Sequence, residues 1–355
     1  MRPVRESGKP NATTASPVSD SAKLREFSRS IAALDLMPLW ERATPMTPGS
    51  PCVSALWRHA EIRPRLLEAT RLITKRDAER RVLVLENPSL KGSTYITNTL
   101  YTGLQIIMPG EIARPHRHTP SALRFVVEGE GAYTAVAGER IVLRSGDFIV
   151  TPNWAWHDHG NLGDSPVAWL DGLDTPFARF FGAQFREDLP SETQTNSRAE
   201  GDVAAVYGAG MLPVADGTGG ATPPILRYPY ERTRAVLDHR AQHAPVDPVH
   251  GVRLRYVDPR TGGHPFPTMA VFMQLLPAGY AGRRYRSTDG TVFVVVEDEG
   301  TIETGAAQWS FTAHDIFVVP PWCLWRISAA RETVLFGYSD LAAQEALGLC
   351  REQRE

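Results

Sequence analysis

The chain repeats itself, and that repeat limits its fold more than any other feature. IIMPGEIARPHRHTPSALRFVVEGEG (106–131) aligns with LLPAGYAGRRYRSTDGTVFVVVEDEG (275–300), pairing Gly110 with Gly279, Glu128 with Glu297 and Gly131 with Gly300. Further on, GDFIVTPNWAWH (146–157) matches HDIFVVPPWCLW (314–325), with Asp147 over Asp315 and Trp154 over Trp322. The two matches differ in offset by one residue, which reads as a one-residue difference in loop length. Self-similarity on this scale means one core unit built twice. Each copy is a succession of short apolar or alternating stretches, such as STYITNTLY, ALRFVVEG, TVFVVVEDEG and LWRIS, separated by Gly, Pro and Asn. Stretches of that length and spacing predict antiparallel strands closing into sandwiches or barrels. With 29 Gly and 28 Pro in 355 residues, the chain has turn formers enough for so many reversals and length enough for two cores.

The expected organisation is mainly β: two β-barrel domains behind an N-terminal helical segment. Residues 1–20 are rich in Ser, Pro, Ala and Thr and read as a disordered tail. Residues 21–81 carry apolar positions at helical spacing, among them Leu24, Phe27, Ile31 and Leu34, then Leu66, Leu67, Ala69 and Leu72. Residues 82–181 form the first barrel and 182–263 a linker, with a helix over YERTRAVLDHRAQ (230–242) and a plain loop at DGTGGATPP (216–224). Residues 264–340 form the second barrel, and 341–355 read as a closing amphipathic helix.

A net charge of -2 with scattered basic residues offers no field or stripe for nucleic acid. No apolar run approaches the roughly 20 residues that a membrane helix needs. The polar N-terminus has no apolar secretory region, and Cys52, Cys323 and Cys350 form neither a metal pair nor a disulfide framework. A cytoplasmic protein is expected.

His116 and His118 lie one residue apart, and in an extended segment such residues share a face. His157 follows across the next hairpins, so a barrel can bring three neutral imidazoles together. Imidazole suits iron, zinc, copper and nickel, whereas magnesium or calcium would want carboxylates. The spacing fits the two cupin motifs. Gly110, His116, His118 and Gly129 fall on the first, with Ala122 where a glutamate ligand is usual. Gly146, Pro152, His157 and Asn161 fall on the second, with Trp154 where a glycine is usual. A neutral three-histidine site keeps more positive charge and more open positions, which favours an anionic chelating substrate together with a diatomic gas. In the second copy Tyr285, Ser287 and Trp325 occupy the ligand positions, so that barrel reads as structural and metal-free.

HRHTPSALRFVVEGEGAYTAVAGER, GDFIVTPNWAWHDHGN and VAWLDGLD resemble the gentisate 1,2-dioxygenase family, whose relatives cleave salicylate, substituted salicylates or 1-hydroxy-2-naphthoate. The resemblance runs over most of residues 20–345 and shares both the alanine in place of glutamate and the WHDHGN ending. It implies a bicupin (two double-stranded β-helix barrels), Fe(II), a homotetramer, and extradiol-type cleavage by O2 of an ortho-hydroxy aromatic carboxylate. The broken bond joins the carboxyl-bearing and adjacent hydroxyl-bearing ring carbons; gentisate would give maleylpyruvate.

Arg124 is the candidate to grip the substrate carboxylate, because a guanidinium inside the apolar strand ALRFVV needs a counter-charge. The other reading is a buried ion pair with Asp171 in WLDGLD, and both can hold if Asp171 orients the arginine. By resemblance His159 hydrogen-bonds the substrate or moves its phenolic proton, and Gln105, Arg76 and Arg80 touch the substrate. Trp154 and Trp156 read as barrel-core fillers and stay outside the site. Gentisate leads among substrates, since its para-hydroxyl makes the ring most electron-rich and NTLYTGLQ is most similar to gentisate-cleaving members. Salicylate, a 5-substituted salicylate and hydroxynaphthoate are the alternatives. The rivals are a manganese or zinc cupin, which would normally keep the missing glutamate, and a metal-free bicupin that binds a small aromatic acid.

Overall fold

The computed structural model describes residues 21–73, 81–208, 225–305 and 307–355. The expected tail at 1–20, the loop at 216–224, and Arg76 and Arg80 lie outside the described residues. The chain divides into two units, residues 1–47 and 48–355. The first contains helix α1 (Ser21–Ala32) and a single turn at Leu39–Glu41, with Phe27 stacked on Trp40. Asp35, at φ 55°, lies in the turn that ends α1.

The second unit opens with strand β1 (Ala55–Trp57) and helix α2 (His59–Leu72). The first barrel follows: β2 (Val82–Val84), β3 (Tyr101–Ile107), β4 (Ile112–His118), β5 (Ala122–Glu128), β6 (Glu130–Val136), β7 (Glu139–Arg144), β8 (Phe148–Thr151), β9 (His157–Asn161) and β10 (Val167–Leu173). Next come α3 (Thr175–Phe180), β11 (Arg186–Asp188), α4 (Asp202–Tyr207), β12 (Arg227–Tyr228) and α5 (Tyr230–His243). The second barrel comprises β13 (Val252–Arg255), β14 (Ala270–Leu276), β15 (Tyr280–Ala281), β16 (Tyr285–Ser287), β17 (Thr291–Glu297), β18 (Glu299–Thr304), β19 (Ala307–Thr312), β20 (Ile316–Val319), β21 (Trp325–Ala329) and β22 (Thr333–Ser339). Helix α6 (Leu341–Ala346) and β23 (Glu352–Arg354) close the chain.

The repeat is visible in the topology. One sheet runs β12-β8-β5-β10-β3-β2 and its counterpart runs β1-β20-β17-β22-β14-β13, the same order with equivalent strands. The smaller sheets, β11-β4-β9-β6-β7 and β19-β18-β21-β16-β23, complete the two barrels. Alternation along the strands sorts the side chains. Leu123, Phe125 and Val127 of β5 join Val292 and Val294 of β17 in one buried cluster, so the two large sheets pack back to back. Phe125 stacks on Phe336 there, ring centroids 4.2 Å apart. Val126 and Trp169 line the first barrel, and Phe293, Phe317 and Trp325 fill the second. The faces turned to the partner barrel are thus apolar in both copies, while the inner faces are free to differ.

Four expectations change in detail. The one-residue offset between the repeats is a β-bulge and not a loop: Glu130 pairs with Arg144 but Tyr133 with Val142, whereas β18 pairs with β19 without a shift. Gly131, at φ 93°, supplies the backbone freedom that the bulge needs. The helix expected over 341–355 stops at Ala346, because Gly348 turns left-handed at φ 69° and the remaining chain pairs with β16. The helical segment over 21–81 is interrupted by β1, after the proline-bearing stretch Pro45–Pro51, and β1 pairs with β20 of the second barrel. Strand β13, within the span read as linker, belongs to that same sheet. The linker helix forms as expected, as α5.

Candidate metal centre

Strand β4 carries His116 and His118, and β9 carries His157 and His159. The β4–β9 ladder bulges between Ala113 and His116, at Arg114–Pro115, where proline cannot donate a ladder hydrogen bond anyway. The bulge sets His116 directly opposite His157. Ring centroids are 4.2 Å apart for His116 and His157, 4.8 Å for His118 and His157, and 5.6 Å for His116 and His118. Each ring offers one nitrogen to a group whose atoms all lie within 4.8 Å of one another, and all three residues are buried.

Backbone carbonyls set the tautomers. Nδ1–H of His116 donates to the carbonyl of Arg114 (3.1 Å), that of His118 to Pro120 (2.7 Å) and that of His157 to Ala155 (2.9 Å). Nε2 is therefore the nitrogen each ring presents, and that of His157 is buried with no hydrogen-bond partner among the described residues. Burial, then the neighbouring His116 and His118, hold His157 well below the ordinary histidine pKa, so it presents a lone pair at neutral pH. Among the described residues no carboxylate joins this group, and a buried cluster of imidazoles is a donor set that suits a borderline transition-metal ion, ferrous iron among them.

Trp154 and Trp156 neither fill the core nor enter this group. Both are half-buried and hold the Arg117 guanidinium, at 4.4 and 4.7 Å from their ring centroids. Arg117 lies between the two β4 histidines in sequence and pairs with Glu187 at 2.6 Å. Trp154 sits at φ 61°, the left-handed conformation for which the usual glycine is suited, and its N–H donates to the His118 carbonyl at 2.9 Å. The second barrel repeats the device: Trp322 at φ 60° donates to Ser287 and stacks with Arg286. The arrangement is thus a property of the fold that fixes whatever residue occupies the His118 position.

Beside the imidazoles lies a polar cluster. Arg124 of β5 is 1% exposed, and its Nε lies 3.1 Å from Asp171 Oδ1 of β10. Arg124 Nη1 donates to Thr151, and Nη2 donates to His159 Nε2 at 3.1 Å. Because a guanidinium has no acceptor, His159 must carry its proton on Nδ1, which donates to Thr134 Oγ1 at 2.9 Å. Trp169 Nε1–H donates to Asp171 at 3.2 Å, and its ring lies 5.5 Å from that of His159. Gln105 of β3 is 2% exposed, and among the described residues its Oε1 has no hydrogen-bond partner.

The structure therefore brings His116, His118 and His157 together, places His159 on the same inner face, and joins Arg124 to both His159 and Asp171. Thr134, Thr151 and Trp169 were not singled out in the sequence. Their signal was parity: each falls on the inward register of its strand, as Arg124 does. Tyr101 is a further omission; its hydroxyl lies over Gly103, 2.8 Å from where a Cβ would stand. Arg81, next to the undescribed Arg80, is bound to Glu111 and to the Ile73 carbonyl.

In the second barrel the ligand positions hold Tyr285, whose hydroxyl donates to Glu352 at 3.0 Å, with Ser287 and Trp325.

Comparison with known proteins gives a consistent picture. The cupin domain family matches residues 103–172. A gentisate 1,2-dioxygenase of Aquipseudomonas alcaligenes is 46% identical over 333 residues, 93% of this chain and 96% of its own. A 1-hydroxy-2-naphthoate 1,2-dioxygenase of Nocardioides sp. is 33% identical over 97% of this chain and 91% of its own. The crystal structure of salicylate 1,2-dioxygenase from Pseudoaminobacter salicylatoxidans in adduct with gentisate superposes with a TM-score of 0.87 at 33% identity, covering 97% of each chain.

Proposed function

The chain belongs to the gentisate 1,2-dioxygenase family, and from that premise we propose that it opens gentisate between the carboxyl-bearing and adjacent hydroxyl-bearing carbons, with ferrous iron held by His116, His118 and His157. It is an aromatic ring-cleaving 1,2-dioxygenase. Addition of both atoms of O2 to gentisate balances to maleylpyruvate. Held by His116, His118 and His157, the iron would supply a redox-active centre for the reaction of an ortho-hydroxy carboxylate with dioxygen.

The observation that carries this reading is the Arg124–His159–Asp171 cluster adjoining the three imidazoles. Arg124 is the cation for the substrate carboxylate, and Asp171 and Thr151 hold its guanidinium in one orientation. A carboxylate arriving at Nη2 competes with His159 for the same donor. Losing that bond leaves His159 Nε2 as a base for the phenolic proton, with Thr134 keeping Nδ1–H in place. Val126 and Trp169, buried on the inner face, exclude water from the reacting ring. Gln105 supports gentisate over salicylate, since its unsatisfied Oε1 is an acceptor for a second ring hydroxyl, which salicylate lacks. Arg76 and Arg80 complete the proposed substrate contacts.

Oxygen uptake by iron(II)-loaded protein, with gentisate, salicylate, 5-nitrosalicylate and 1-hydroxy-2-naphthoate side by side, tests the substrate. The reading expects the highest kcat/KM on gentisate; equal or higher values on another acid overturn it.

A homotetramer and a cytoplasmic setting complete the proposal. Phe180 at the end of α3 and Phe181 just after it, 83% and 71% exposed, offer apolar surface for assembly. The three cysteines are all unpaired, as suits a reducing compartment. Among the described residues no helix is long and apolar enough to cross a membrane.

A further inference from the structure

The second barrel lacks the histidines, yet its interior is not wholly apolar. Arg253 of β13 is paired in register with Gln274 of β14, so both side chains project from the same face. That face is the barrel interior, because Phe272, two residues before Gln274, belongs to the inner cluster and the Arg253 guanidinium lies 3.3 Å from its ring centroid. Gln274 is 0% exposed, and among the described residues neither its Nε2 nor its Oε1 has a hydrogen-bond partner. Gln274 is the repeat equivalent of Gln105. Among the described residues Arg253 has one side-chain hydrogen bond, to His250 Nδ1 at 3.4 Å, and no carboxylate within ion-pair distance. His250 packs edge-on against Tyr285, which stands where the first barrel has His116. A cavity of about 400 Å³ is lined by His250, Arg253 and Phe272, with Asp247 and Arg240 at its sides; Gln274 lies beyond its wall, next to Arg253 in the ladder.

A buried guanidinium without an ion-pair partner, next to an amide with both ends unsatisfied, is costly unless something binds there. Burial lowers the Arg253 pKa to about 10, so it remains charged at neutral pH. The carboxylates of Asp289 and Asp247 act on Arg253 through space, Asp289 more strongly, but neither lies within ion-pair distance, and Asp247 is paired with Arg354 at 2.8 Å. Arginine forks match carboxylates, the amide N–H of Gln274 adds a donor, and Phe272 adds an apolar wall.

We propose that the second barrel is a metal-free binding site for a small carboxylate, gripped by Arg253 and Gln274. Both the aromatic acid and the ring-opened acid of the first barrel's reaction have this chemistry. The site stands apart from the first-barrel reading, because it uses none of the same residues and needs no iron.

The test is calorimetric titration of the holoenzyme with benzoate, which lacks the ortho-hydroxyl for chelation, and separately with maleate as the ring-opened arm. Arg253→Met should weaken binding at least roughly tenfold, the loss of one charge-assisted pair, while kcat/KM for ring cleavage stays within about twofold. Gln274→Leu guards against a folding artefact: removing an orphaned buried amide should leave Tm equal or higher while binding weakens. The double variant Arg124→Met with Asp171→Leu, which leaves no stranded charge in the first barrel, should retain the Arg253-dependent binding. Binding of benzoate alone assigns the aromatic acid, and of maleate alone the ring-opened acid. Unchanged affinity in Arg253→Met, or loss of all binding in that folded double variant, overturns the proposal.

Discussion

Removing the carboxylate of Asp171 should destabilise the first barrel as well as stop its chemistry. The Arg124 and Asp171 side chains are 1% and 8% exposed, and their charged atoms are 3.1 Å apart. At an effective dielectric of about 20 that separation corresponds to roughly 5 kcal/mol of attraction. Stripping one partner from a buried pair typically costs about 3–5 kcal/mol, because the other charge is left uncompensated. Thr151 and His159 remain as neutral partners of Arg124 and do not replace the missing charge. Asp171→Leu should therefore lower Tm by roughly 6–10 °C at about 2 °C per kcal/mol. The double variant Asp171→Leu with Arg124→Met removes both charges and should recover most of that loss, because apolar replacement of a whole buried pair is close to neutral. Oxygen uptake should stay abolished in both, since neither holds an oriented guanidinium. Differential scanning calorimetry decides the matter. A single variant that melts within about 2 °C of the parent, or a double variant no more stable than the single one, refutes the reasoning.

Trp154→Ala keeps the left-handed backbone at φ 61° while losing the Arg117 stack, whereas Trp154→Gly also relieves the strain; urea titration should find glycine the more stable by about 1 kcal/mol. Gly172→Ala would drive a Cβ to 2.6 Å from the fully buried Tyr338 ring across the back-to-back sheets, and equilibrium unfolding should show a loss of about 1–3 kcal/mol. Burial raises the Asp174 pKa from 3.8 to about 6, so the folded state holds its proton more tightly than the unfolded chain. Stability should accordingly fall as pH rises from about 4 to 6, and Asp174→Asn should flatten that slope in melts recorded across the window.

Much of the fold was legible because the repeat exposes it twice. Asp147 and Asp315, and Trp154 and Trp322, do the same structural work in each barrel, so their pairing survived where other side chains diverged. The bulge at Gly131 was not legible, since a one-residue offset looks the same in a bulge as in a loop. Edge strands were missed for a related reason. Strands β1 and β12 span three and two residues, too few for any period to register. At the candidate site, HxH spacing and the guanidinium in an apolar strand pointed to chemistry directly. Thr134 and Thr151 could not be distinguished from ordinary strand threonines until the sheets fixed which side faces inward. The shortened last helix turned on one glycine, Gly348, inside an otherwise amphipathic pattern.

Anomalous diffraction at the iron edge, from crystals of anaerobically reconstituted protein, would reach the core of the account. It predicts one peak per chain, within bonding distance of Nε2 of His116, His118 and His157 and away from any carboxylate. A peak lying elsewhere, or one with an aspartate or glutamate oxygen among its protein ligands, would contradict it.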